Sequence, residues 1–168
     1  FLENNNFDNN IYSNNNLNDY KIECSDLYIS TKTKIIYIDK LIDIYDIFWK
    51  VPILKYYEQK EGIIKKQIKI SLKNKEEFNK INEIINNINC YKKIINLNYI
   101  DNPSGRIVYK DIRKITVGLS KKDLLFTKNN NKSAFYNCFV LTIRLKDNDK
   151  FKEYHVKLFN TGKLEIPG

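Results

Sequence analysis

A chain of 168 residues and 20.0 kDa is long enough for one domain with its own core, or for such a domain plus a polar tail. It holds no run of about 18 apolar residues, its mean hydropathy is −0.51 and no hydrophobic segment lies near its start, which excludes a membrane-spanning helix and a secretory signal from this stretch. Lys and Arg number 29 against 20 Asp and Glu; the charge of +9 suits polyanionic partners, although Lys, Ile, Asn and Tyr all abound and share A/T-rich codons, so base composition accounts for part of it.

The chain starts at Phe1, contains no methionine and stops at Gly168, and both ends read as cuts in a longer frame. Residues 1–20 carry the triplets Asn4–Asn6 and Asn14–Asn16 without apolar periodicity, which predicts a disordered leader. Leu27–Ile38 is rich in Ile, Tyr and Thr and predicts a strand. Asp39 then supplies an N-cap for a helix over 40–50, with Leu41, Ile44, Ile47 and Phe48 on one face, Trp49 assigned to the core and Pro52 as the stop.

Residues 60–128 form the most basic third, with 16 Lys and Arg against 7 Asp and Glu. Gly62–Leu72 predicts a strand bearing Lys65, Lys66 and Lys69. Asn74 followed by Glu77 resembles a capping box, and Phe78, Ile81, Ile84, Ile85 and Ile88 make a helical stripe for the core. Asn102-Pro103-Ser104-Gly105 signals a turn, 106–118 a hairpin or strand pair, Ser120 with Asp123 a capped helical turn, and Asn129–Asn131 a polar loop.

The last 36 residues alternate most clearly. Phe135, Phe139, Leu141, Ile143 and Leu145 fall on one face; Tyr136, Cys138, Val140, Thr142 and Arg144 fall on the other. Asp147-Asn148-Asp149 turns the chain into a strand over Tyr154–Phe159, and Asn160-Thr161-Gly162 turns it into a third over Lys163–Ile166. Such a meander needs cover on its apolar face, and the two predicted helices are the candidates.

No catalytic chemistry is legible. His155 is the one histidine and has no Ser, Cys or carboxylate at a meaningful spacing. Cys24, Cys90 and Cys138 form neither a CxxC nor a Cys/His cluster, so no metal site, cofactor or disulfide framework is expected.

The order strand, helix opening on Ile42-Asp43-Ile44, and meander, with Leu158-Phe159-Asn160-Thr161-Gly162-Lys163 joining the last strands and Gly168 at the end, resembles one repeat of the TATA-box-binding protein fold. Glu61–Ile70 and Ser133–Gly168 resemble more closely the TATA-binding-like proteins of large DNA viruses, and Phe139–Leu145 is similar to the family strand before the Phe–Gly–Lys element. The resemblance covers about 29–52 and 133–168, and divides the chain into a leader at 1–20 and one repeat at 21–168 with a basic insertion at about 57–132.

It implies an α+β fold: a curved antiparallel sheet with helices on one face, a half-saddle whose second repeat lies elsewhere in the same chain. It implies a non-enzymatic transcription factor domain inside the cell, in a host nucleus or cytoplasmic viral factory, with A/T-rich duplex DNA and transcription initiation proteins as partners. The concave sheet would lie in the minor groove and aromatic wedges would kink the duplex. By position Phe159 matches a wedge and Tyr136, or Phe135 in a shifted register, its partner; Val140, Cys138 and Thr142 share that face, and Lys157, Thr161 and Lys163 line it. Glu165 and Pro167 stand where the family carries aliphatic residues and Thr, and Lys157 replaces an aliphatic residue. These departures favour a second reading, a protein-interaction scaffold that no longer binds DNA. Stacking of single-stranded nucleic acid on the sheet aromatics is a third.

Overall fold

A computed structural model describes residues 24–126 and 136–168. The Asn-rich leader, Asn129–Asn131 and Phe135 lie outside the described residues. The chain divides into Phe1–Ser30, whose residues 24–30 have no regular secondary structure, and Thr31–Gly168, which carries every helix and strand named below.

The second unit is α+β. In chain order it runs β1 (Thr33–Tyr37), α1 (Ile44–Lys50), β2 (Gly62–Leu72), α2 (Lys75–Asn86), β3 (Lys92–Asp101), β4 (Tyr109–Gly118), α3 (Lys121–Leu125), β5 (Cys138–Asp147), β6 (Lys150–Phe159) and β7 (Lys163–Pro167). The strands form one curved antiparallel sheet in the order β1-β7-β6-β5-β2-β4-β3. The 57–132 stretch is therefore no appendage: β2 lies between β5 and β4, and β3 and β4 extend the same sheet.

Local chemistry sets the elements. Asp43, not Asp39, caps α1: its Oδ1 accepts from the N–H of Tyr45 at 2.9 Å and of Asp46 at 3.0 Å, so the helix begins three residues beyond Leu41, which stays exposed. Asn74 caps α2 by accepting from Glu77 N–H at 2.8 Å, while the Glu77 carboxylate reaches back to Lys73 N–H rather than to Asn74. Asn148 and Asp149 take φ of +46° and +63°, the two-residue turn whose twist fits a β5–β6 hairpin. Several strands differ from expectation. Residues 106–118 hold the single strand β4, whose hairpin partner is β3, rather than a hairpin or strand pair of their own, and β6 starts at Lys150 rather than Tyr154 because its pairing with β5 runs up to the Asn148–Asp149 turn. β1 is shorter than Leu27–Ile38, and β3 has no counterpart in the sequence reading because a bulge between Asn96 and Asn98 interrupts its alternation.

The core lies between the sheet and α1 with α2. Ile44 and Phe48 of α1 and Ile85 of α2 pack with Ile68, Ile70, Ile115, Val117, Phe139, Leu141, Val156 and Leu158. The rings of Phe48 and Phe139 meet edge to face at 5.9 Å. Ile84, expected in the stripe, is exposed. Helices on one face describes α1 and α2 but not the five-residue α3. Its Asp123 accepts from Lys65 Nζ at 2.7 Å, and Lys121 N–H donates to Glu153 Oε1 at 2.9 Å, both partners lying on the other face.

Candidate nucleic-acid interface

Strand register decides which side chains share the face away from α1 and α2. Phe139 pairs with Leu158 and Leu141 with Val156, all in the core. The alternate pairs, Cys138 with Phe159, Val140 with Lys157 and Thr142 with His155, therefore project from the opposite face. Lys157 pairs in turn with Glu165, which brings Lys163 and Glu165 of β7 to the same side. Phe159 thus stands away from the helices, half-buried, with Lys163 Nζ 5.5 Å from its ring centroid. Tyr136 precedes β5, is 47% exposed, and lies with its ring centroid 3.7 Å from Lys69 Nζ, a β2 residue of that same face.

Two expected contact residues are placed differently. Thr142 is on this face but only 2% exposed, with Oγ1 3.3 Å from His155 Nδ1, so little of it is left for a ligand. Thr161 belongs to the β6–β7 turn rather than to a strand face. That turn is shaped by Gly162, whose φ is +81° and where a Cβ would fall 2.2 Å from Ile38 O. Ile38 N–H donates to Gly162 O and Ile42 N–H to Asn160 O, each at 2.9 Å. The Ile42-Asp43-Ile44 and Phe159–Lys163 motifs, distant in sequence, are therefore joined in space.

Glu165 does not stand as a bare anion. Lys163 Nζ lies 2.7 Å from Oε1 and Lys157 Nζ 3.4 Å from Oε2. The Lys163 bond, with help from Lys157, holds the carboxyl below its ordinary range, and Glu165 in return raises the Lys163 ammonium.

The other half of the face is lysine-rich. Lys65 and Lys69 of β2, Lys110 and Lys114 of β4, and Lys93 of β3 alternate with Gln67, Thr116 and Ile95. Burial lowers the Lys114 ammonium first, and the charges of Lys65 and Lys93 lower it further, as expected where like charges crowd. Sequence reading found this stretch basic but did not place the β3 and β4 lysines on one face, although Lys110, Ile112, Lys114 and Thr116 recur at the two-residue spacing that could have shown it. Lys66 goes the other way: its ammonium is buried beneath α1.

Comparison of the chain with protein-family models, curated proteins and solved structures gives no match.

Proposed function

We propose that the Thr31–Gly168 unit binds A/T-rich duplex DNA through the strand face opposite α1 and α2, as a TATA-binding-like domain in which the rings of Phe159 and Tyr136 wedge between base steps. The observation that carries this reading is that both rings lie on the face away from α1 and α2, beside Val140, Lys157 and Lys163. The element order supports it too, since β7 returns to pair with β1 and closes the β5–β6–β7 meander onto the first strand. Glu165 opposes phosphate less than its charge suggests, because two ammoniums already face it. No catalytic step is part of the proposal; recruitment of transcription initiation proteins is.

The test is duplex binding over a salt series with DNA bending as a second readout. Wild type is expected to bind with a steep salt slope and to bend the duplex; Phe159→Ala is expected to lose bending and about tenfold or more in affinity. Unchanged bending and affinity in that variant would remove the wedge.

A protein-interaction scaffold is the second reading, favoured by Ile35, Ile36 and Tyr37. These residues are exposed on β1, which among the described residues is an edge strand paired with β7 alone. Absence of duplex affinity at low salt would leave that reading ahead.

A further inference from the structure

At the free end of the β5–β6 hairpin an open cavity of about 620 Å³ is walled by Tyr56, Tyr57, Phe151 and Tyr154. Its floor is Arg144, 6% exposed, whose guanidinium donates to the carbonyls of Tyr56, Glu58 and Lys60. The same group lies 5.0 Å from the Phe151 centroid and 5.7 Å from that of Tyr56, so it fixes two ring walls rather than waiting for a ligand. Of these aromatics only Tyr154 falls in a sequence motif above, as the start of a predicted strand.

The lining chemistry selects the ligand. Tyr57 is 75% exposed and Phe151 40%, which leaves flat apolar surface for another π system. Glu153 is the lining carboxylate, and it already accepts Lys121 N–H through both oxygens, at 2.9 and 3.1 Å. That backbone N–H leaves the Glu153 charge in place, but the lining sets Lys121, Arg144 and Lys152 against this single carboxylate. The Lys121 ammonium makes no ion pair among the described residues, so the net positive lining favours an anionic ligand over an amine or basic peptide. Exposed aromatic faces beside a lysine head, in a space of ligand size, are the elements of base stacking with phosphate neutralisation.

We propose that this cavity takes an unpaired nucleobase of a single-stranded nucleic acid, stacked on Tyr57 and Phe151, with the adjoining phosphate at Lys121. The site does not rest on the duplex reading, since it shares none of the wedge residues and asks for a base that a duplex keeps paired.

The test uses the whole chain with a labelled short oligothymidylate, read by fluorescence anisotropy. Oligothymidylate is expected to bind, and Tyr57→Ala and Phe151→Ala each to weaken it about tenfold, with circular dichroism unchanged in Tyr57→Ala, whose ring is 75% exposed. Inorganic polyphosphate of matched charge is expected to bind at least about tenfold more weakly and to ignore both variants. Phe159→Ala is expected to leave oligothymidylate binding intact, which separates failure of this site from failure of the duplex face. Equal affinity for polyphosphate, no loss in the ring variants, or capture of a proline-rich peptide in place of oligothymidylate overturns the assignment.

Discussion

Lys66 stands between Lys65 and Gln67, yet strand alternation turns its ammonium beneath α1, where it donates to Phe48 O at 2.6 Å and Val51 O at 2.8 Å. Burial depresses its pKa from 10.5, so the unfolded chain holds the proton more tightly and stability rises with pH between the folded value and 10.5. Lys66→Met keeps the stem packing but strips two carbonyls of their donor; a loss of about 1–3 kcal/mol is expected. Urea melts at pH 7 and pH 10 check it: the variant's stability gain between them should be smaller than that of wild type. Glu165 has the opposite sign. Its pKa is depressed below 4.5, chiefly by Lys163, so the contribution is complete above 4.5 and lost as pH falls through the lower folded value. Glu165→Gln should therefore flatten the acid limb of the stability profile. It should also raise duplex affinity severalfold at low salt, by removing a carboxylate and releasing two ammoniums; affinity unchanged or reduced would remove the electrostatic account of this position.

The turn at Gly162 shows at the scale of elements why part of the fold is readable. Positive φ and a Cβ site 2.2 Å from Ile38 O leave no room for a side chain, so Gly162→Ala should cost about 2–4 kcal/mol in urea unfolding. Gly105→Ala is the control: φ is not in the left-handed region and the atoms nearest the added Cβ belong to the Asn102 side chain, whose amide at 2.7 Å can swing aside as backbone cannot, so the midpoint should move much less than for Gly162→Ala. The same locality makes β2, the α2 cap, the Ser120–Asp123 capping box and the β5–β6–β7 alternation legible, because each is decided within a few residues. What fails depends on distant partners. Sequence alone starts α1 at Asp39 because two Asp residues compete as caps, and only packing of Ile44 and Phe48 chooses between them. β3 escapes because its bulge breaks the period that identifies strands, and its pairing with β4 is set across the Asn102–Gly105 turn. For the candidate interface, alternation alone places Phe159, Val140, Lys157 and Lys163 on one face. It cannot foresee that Thr142 is covered or that Tyr56, Tyr57 and Phe151 converge around Arg144.

Across the whole sheet the face away from α1 and α2 divides electrostatically. On the β7–β6 side, Lys157 and Lys163 face Glu165. On the β2–β4–β3 side five lysines gather, and Lys65 Nζ lies 2.7 Å from Asp123 Oδ1. A duplex laid on this face would draw its wedging from the first half and most of its counterion release from the second. Affinity and bending should then separate under mutation. Lys93→Ala combined with Lys110→Ala should lower the slope of log K against log salt by about 2, near 0.9 for each phosphate no longer neutralised, while bending is kept. Phe159→Ala should do the reverse, losing bending with little change of slope. Lys80, exposed on α2 and so on the helix side, is the control, and Lys80→Ala should leave the slope alone. If Lys80→Ala lowers the slope as much as either of the other lysine changes, charge acts through the whole molecule rather than through one face, and the basic half of the sheet loses its role as a phosphate track.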